Sequence, residues 1–430
     1  MKKTALAVAL GTVFVAPVAE AQIVFGNEQI GTMQIYGRLY PQIQLAKTHG
    51  ATGAGTSVST LASTTGVLAA SGTDHGWHTG IQTQNSRLGF RGERRLGKTG
   101  MKALWQLEQT INFEDPEDVA GSGVDANAGG VSTNDAIFST RNSFVGLSGG
   151  FGTVKLGHMD TIYKEYGDTL NMFGVKSGNF TSGSNVLSHI GFGRNNNARF
   201  HERAPNSIQY ETPEIGGITF GIQYMPDERW GNPAITRNRR LLSTGVKYDS
   251  KQFYVSLAHE RHHDWFGGSS NVTGALSNIG DPHSKSRDKA TRVSGTVRMG
   301  THEFTGDIAW MSWDEETSLG APRFKSYRHM NWAVGWEARL GGPWRAAAQY
   351  VRGGEGRCEL TGGTNCSTEG LASWMLSGGI GYDLDRQTRL YTLISRLNNG
   401  PSAIYDNSSL LNPSRGSDIT QAALGISYSF

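Results

Sequence analysis

The feature that most restricts this chain is an alternation of period two that recurs from about residue 34 to residue 430. Over residues 34–45, Ile35, Gly37, Leu39, Pro41, Ile43 and Leu45 fall on one face, and Gln34, Tyr36, Arg38, Tyr40, Gln42 and Gln44 on the other. Successive side chains of a strand point to opposite faces, so one face is apolar and the other wet. The same split returns in Ile218, Phe220, Ile222 and Tyr224 against Thr219, Gly221 and Gln223, and in Phe253, Val255 and Leu257 against Tyr254, Ser256 and Ala258. It appears again in Trp332, Val334, Trp336, Ala338 and Leu340 against Asn331, Ala333, Gly335, Glu337 and Arg339. At the far end Leu424, Ile426, Tyr428 and Phe430 alternate with Gly425, Ser427 and Ser429. About sixteen such segments can be counted, each near the ~9–11 residues that a tilted strand needs to cross a bilayer. No apolar run of ~18 residues follows the first 21, which excludes transmembrane helices.

Short turns, such as 97–100, 149–150, 216–217 and 341–342, alternate with long polar stretches near 47–78, 113–133, 160–206, 226–239, 264–288 and 353–370. Short turns on one rim and long loops on the other suit a closed antiparallel barrel. A large secreted β-sandwich is the competing reading, but it does not require that rhythm, and an open sheet of this size leaves unprotected edges that closure removes. Mean hydropathy is −0.39, yet the chain holds 10 Trp, 14 Tyr and 17 Phe. That combination fits a barrel polar inside, lipid-facing outside and girdled by aromatic residues. No linker or composition shift divides the chain, so residues 22–430 read as one domain.

Residues 1–21 have the form of a secretory leader. Lys2 and Lys3 precede an apolar stretch broken by Gly11 and Pro17, and Ala19-Glu20-Ala21 is a small-x-small cleavage site. The formal charge is +3, or +2 without Lys2, Lys3 and Glu20, too little to argue for nucleic acid. Cys358 and Cys366 lie in a Gly/Thr/Asn-rich segment, and an oxidising compartment lets them pair; a disulfide stapling a surface loop is expected, against two free thiols. His259-Glu260-Arg261-His262-His263 matches the H-E-x-x-H pattern of zinc peptidases, which needs a helix. Here it continues the strand pattern of 253–257, where residues four apart lie ~13 Å from one another. No metal or catalytic group is expected.

Asn85-Ser86-Arg87-Leu88-Gly89-Phe90-Arg91-Gly92-Glu93, followed by Ala103-Leu104-Trp105-Gln106-Leu107-Glu108, resembles two early strands of the β-proteobacterial and neisserial general porins. So do residues 141–157, the 206–224 hairpin and the closing Phe430, so the resemblance covers essentially the whole chain after the leader. It implies an all-β, 16-stranded antiparallel transmembrane barrel, a homotrimer, and a long third loop folded into the lumen as a constriction. It further implies a place in the outer membrane of a Gram-negative bacterium, among outer-membrane lipid and lipopolysaccharide. Tyr428 and Phe430 resemble the signal read by the barrel-assembly machinery. Two departures stand out: the third-loop segment, about 160–206, carries small and amide residues rather than a compact acidic turn, and 47–78 is rich in Ser, Thr, Gly and Ala.

If Leu88, Phe90 and Phe144 face lipid, then Arg87, Arg91 and Arg141 face the lumen. With Arg38 and Lys155 they make a basic wall, since inward residues of adjacent strands ~4.8 Å apart form a ladder. An opposing acidic side is expected from Asp160, Glu165 and Asp168 of the third loop, with Glu108 inward from its strand. Rows of Arg and Lys favour anions. The function read from this is passive diffusion of small hydrophilic solutes and ions with mild anion preference and no cofactor. A substrate-selective channel would show an aromatic track, to which Tyr36 and Tyr40 could contribute. A barrel enzyme or adhesin is the remaining alternative.

Overall fold

The computed structural model describes residues 23–27, 31–111, 141–191, 199–226, 238–266, 285–317, 324–407 and 410–430. The leader and the 113–133 stretch lie outside the described residues, as do most of 226–239 and 264–288.

Sixteen antiparallel strands close into a barrel. Strand β1 is Gly31–Leu39 running on as Gln42–His49, and β2 is His78–Gln82 running on as Arg87–Arg95. Then follow β3 (Lys102–Thr110), β4 (Ser143–Gly149), β5 (Gly152–Asp160), β6 (Arg203–Glu211), β7 (Ile218–Met225) and β8 (Arg240–Asp249). The circuit continues through β9 (Phe253–His263), β10 (Lys285–Met299), β11 (His302–Thr317) and β12 (Phe324–Gly341). It is completed by β13 (Trp344–Gly353), β14 (Ser373–Asp383), β15 (Thr388–Asn399) and β16 (Asp418–Ser429).

Each strand pairs with the next, and β16 returns to β1 from Asp418↔His49 to Gly425↔Gln42, then Tyr428↔Leu39 and Ser429↔Arg38. The interruption falls at Pro41, which has no N–H to donate. Gly37 and Phe430 then exchange both backbone hydrogen bonds, at 2.9 and 3.0 Å. A Cβ on Gly37 would stand 2.5 Å from the Phe430 ring, so glycine is what lets that ring lie over the seam.

The turns 96–101, 150–151, 212–217, 250–252, 300–301, 342–343 and 384–387 share one rim, and all the long connections share the other. One of these, 400–417, was not apparent as a polar stretch because Ala403, Ile404, Tyr405 and Leu411 give it an apolar character; the first three of these and Leu411 are buried or half-buried. The two faces alternate as expected: Phe253, Val255 and Leu257 are exposed while Ser256 and Ala258 are buried.

The enclosed face differs from the expected run of polar side chains on one side. There Met311, Trp313, Tyr327, Val351, Met375, Leu397 and Ile419 form an apolar cluster with Val186, Leu187, Ile190 and Phe200 of the 161–202 connection and Leu61 of the 50–77 connection. Burying this much apolar surface against wall residues fixes the two connections far more firmly than loop hydrogen bonds alone.

Helix α1 (Ile162–Gly167) opens the 161–202 connection, and α2 (Ser184–Leu187) follows it. A helix leaves backbone groups unsatisfied at each end. The wall supplies partners for both ends of α1. Ile162 N donates to Gln223 Oε1 at 3.2 Å and Tyr163 N to Ser243 Oγ at 2.9 Å. Tyr166 O accepts from Tyr254 Oη at 2.6 Å and Ser256 Oγ at 2.8 Å, and Gly167 O accepts from Ser294 Oγ at 3.2 Å. Gly221 and Gly245 make the recess for the Tyr166 side chain; a Cβ on either would lie 2.7 or 2.9 Å from it.

Candidate functional site

Tyr36, Arg38, Arg87 and Glu108 come from adjacent strands, with Arg38 opposite Arg87 and Gly89 opposite both Tyr36 and Glu108. Glu108 Oε2 accepts from Tyr36 Oη at 3.0 Å and lies 3.4 Å from Arg87 Nε, while Oε1 is bonded to Arg141 Nε. Glu108 therefore sits among the arginines rather than on an opposing acidic side. The hairpin register accounts for this, because β3 follows β2 directly and must lie beside it. Arg91 stacks over the Tyr36 ring at 4.7 Å and donates to Gln34 Oε1 at 2.8 Å.

Arg38 reaches away from this group and holds the 161–202 connection by its backbone. It donates to Gly174 O at 2.8 Å, Phe173 O at 3.0 Å and Ser427 Oγ at 3.2 Å. Arg389, from β15, donates to the same Phe173 O at 2.9 Å, and Glu337, from β12, accepts from Phe173 N at 3.1 Å. Phe173 has φ +57° and Gly174 φ +84°, a left-handed pair within the Met172–Val175 turn. A non-glycine residue in that region costs energy. Three wall side chains, Arg38, Arg389 and Glu337, from the stretch of wall that runs from β12 through β16 to β1, offset it.

Of the acidic residues expected opposite the arginines, Asp160 and Asp168 are paired locally with cations and Glu165 with an amide. Asp160 lies 2.8 Å from Lys164 Nζ and 3.0 Å from Arg203 Nε. Asp168 lies 2.9 Å from His201 Nε2 and 3.6 Å from Arg292 Nη1. Burial raises the Asp168 pKa, but His201 and Arg292 outweigh it and hold the carboxyl below its ordinary value. Glu165 accepts from Gln209 Nε2 at 3.4 Å, and burial followed by the nearby Glu211 carboxylate raises its pKa. Lys155 is likewise absent from the basic wall: its Nζ is buried 3.2 Å from both Glu211 Oε2 and Gln209 Oε1.

Tyr36 and Tyr40 form no aromatic track. Tyr36 is covered by Arg91, and Tyr40 is fully buried, stacked on Tyr391 at 4.6 Å between ring centres. His259 and His263 lie on the outer face of β9, whereas His262 points inward and pairs with Glu260 at 2.9 Å. Cys358 and Cys366 are bonded as a disulfide, with Cα atoms 5.1 Å apart.

Several residues of the site were missed. Beneath the Phe173 turn is a cavity of about 560 Å³, lined among others by Arg38, Arg87, Arg298, Arg339, Arg345 and Arg389. Arg345 and Arg389 share Asp383, the former at 2.7 Å. Alternation would have found Arg389, two residues from the inward Tyr391, had β15 been read face by face. Lys176 is exposed on the 161–202 connection between Gly174, held by Arg38, and Ser177, whose carbonyl accepts from Asn85 Nδ2 at 3.1 Å. Nothing in its local sequence marks that position.

The sequence pattern described as "Gram-negative porin" matches residues 4–402. The chain belongs to this family. Among curated porins, the major outer membrane protein P.IB of Neisseria lactamica is 30% identical over 202 residues, which are 46% of this chain and 47% of the relative. The chain thus spans about half the length of the curated relatives it matches. Among solved structures, the anion-selective porin from Comamonas acidovorans aligns with a TM-score of 0.61 and 19% identity, over 93% of this chain and 100% of that one. The trimer form of OmpT from Vibrio cholerae aligns with a TM-score of 0.58 and 13% identity, over 93% and 99%. These two likenesses establish the shared barrel fold. Family membership places this porin in the outer membrane.

Proposed function

We propose that this porin is a passive diffusion channel for small hydrophilic solutes and ions, narrowed by the 161–202 connection and mildly anion-preferring. The observation that carries the reading is the composition of the wall at the arginine group. Arg87 and Arg141 share a single carboxylate, Glu108, with Arg38 and Arg91 on the same inner wall bonded to neutral groups, while Asp160, Glu165 and Asp168 are occupied with cations or amides elsewhere. Arginine keeps its charge when crowded, so the excess is positive at any physiological pH. Lys176 adds to it. The contacts of Phe173 and Gly174 with the inward side chains Arg38, Arg389 and Glu337 support the constriction.

A homotrimer fits this reading, as do contacts with outer-membrane lipid and lipopolysaccharide. The arrangement of Tyr428 and Phe430 at the seam, with ring centres 5.9 Å apart, supports their part as an assembly signal; removing Phe430 is expected to lower the yield of heat-modifiable barrel. The deciding test is conductance in a planar bilayer under a salt gradient. Stepwise ohmic openings in threes with a zero-current potential of anion sign are expected. Folded protein that gives no steps would overturn the channel, and a potential of cation sign would overturn the assigned preference.

A further inference from the structure

A connection folded into a barrel gives up water, so its buried backbone groups must find partners in the protein. The 400–417 connection between β15 and β16 meets that demand in its described residues, 400–407 and 410–417. Tyr405 N donates to Asn399 Oδ1 at 3.0 Å, and Tyr405 O accepts from Asn399 Nδ2 at 2.9 Å. Ile404 N donates to Gly191 O of the 161–202 connection at 2.8 Å. The Asn407 side chain ties three segments together. Its Nδ2 donates to Phe180 O at 2.9 Å and to Ser395 Oγ of β15 at 3.4 Å, and its Oδ1 accepts from Gln421 Nε2 of β16 at 2.8 Å.

Apolar contacts lay the same connection against a wide arc of the enclosed face. Tyr405 and Leu411 are buried, and a Cβ on Gly191 or on Gly353 of β13 would come 2.5 or 2.8 Å from the Tyr405 side chain. Leu410 reaches β2: a Cβ on Gly80, which pairs with the buried Gln44, would lie 2.6 Å from Leu410 Cδ2. The arc from β13 round to β2 takes in six neighbouring strands, a span of ~24 Å at ~4.8 Å per strand. Gln421 stands six residues before Ser427, the β16 partner of Arg38. This ledge therefore lies ~20 Å along the strand from the Arg38–Phe173 contact, toward the long-loop rim.

Its chemistry differs from that of the arginine group. The charged residues of 400–417 are Asp406 and Arg415, whose charges cancel, and Arg415 Nη1 is bonded to Ser402 O at 2.7 Å and Ser59 O at 3.3 Å. A neutral ledge sorts solutes by width rather than by sign. We propose that the 400–417 connection is a second constriction, in series with the 161–202 connection, and that it sets the width of the hydrophilic solutes admitted. Asn407 is its tether to the wall, and Leu410 is its contact with β2. The assignment rests on the channel reading of the barrel. Selection by size and selection by charge then reside in different segments of the chain.

The test compares the full barrel with a shortened form in which residues 404–415 are replaced by Asn-Gly, a two-residue turn that the 2.8 Å bond from Gly416 N to Ala403 O permits. The exchange removes one acid and one base. In liposome swelling, the rate for raffinose relative to arabinose is expected to rise about threefold or more, with the zero-current potential in a salt gradient unchanged. L410C tests the same point without shortening the chain, since Cys358 and Cys366 are bonded to each other and offer no competing thiol. A bulky maleimide is expected to lower the open-channel current of L410C by about a third or more and to leave that of the unaltered protein as it was. An unchanged sugar ratio in a shortened protein that still forms a heat-modifiable barrel would overturn the proposal, and so would an unchanged current in fully labelled L410C. Channel steps in the unaltered protein together with either result refute the second constriction alone. No steps from the folded, unaltered protein refute the channel, and the second constriction with it.

Discussion

The walls formed by β1–β4 and by β9–β15 use the same alternation to opposite ends. In the first, the enclosed face is polar and crowded with guanidinium groups around Glu108. In the second, the enclosed face is largely apolar and is covered by the 161–202 and 50–77 connections, with Trp313, Tyr327, Val351 and Leu397 essentially inaccessible. One half of the barrel therefore keeps a charged enclosed surface and the other half supplies the foundation that holds the 161–202 connection. A barrel interior can contain a core of its own, and charge placed on that side is consumed in holding it together, as Arg292 with Asp307 shows at 2.6 Å. Isolating such a pair in a low-dielectric site makes removal of either partner costly.

The largest effect should come from disturbing the foundation. Valine at Gly245 would strike the Tyr166 ring, 2.9 Å from where its Cβ must lie, and overpacking of this kind costs ~1–3 kcal/mol. G245V is expected to lift α1 off the wall, lowering both the unfolding temperature and the single-channel conductance; a variant that conducts normally would separate the two walls functionally. Next comes the charged wall itself. R87Q/R141Q should move the reversal potential toward cations, since one charge at 4 Å in water is worth about 1 kcal/mol, or roughly fivefold in local ion concentration. Unchanged potentials would show that selectivity resides at the Arg345–Asp383–Arg389 cavity instead. Smallest for conduction is C358S/C366S, whose short loop is worth about 2–3 kcal/mol of local stability. It should lower the unfolding temperature and leave the reversal potential where it was.

The strands and their facing were readable because period two survives wherever one side meets lipid. Alternation also placed Arg87 and Arg91 on the enclosed face, but Arg141 was set inward from a lipid-facing Phe144, whereas Val145 and Leu147 face outward and Phe144 lies inward beneath Lys155. Glu108 was assigned the right face and the wrong wall, although the short turn at 96–101 already obliges β3 to lie against β2 and brings Glu108 opposite Gly89. The partners of Asp160 and Asp168 were not readable, since Lys164, His201 and Arg292 reach them only through the path of the connection. The inner core was hidden for a different reason: toward the rim Met311, Trp313 and Tyr327 make the enclosed face as apolar as the outer one, and alternation loses its contrast.

The seam between β1 and β16 has a kinetic meaning. Every other strand finds its partner in a neighbouring segment of chain, but the Arg38–Ser427 hydrogen bond joins residues 389 apart. Distant pairings are the slowest to form, although the entropy of closing a long loop grows only with the logarithm of its length. Until they form, β1 and β16 are raw edges able to pair with any other strand. The glycine at 37 and the ring of Phe430 thus lie at the step where a curled sheet either becomes a cylinder or remains a template for aggregation.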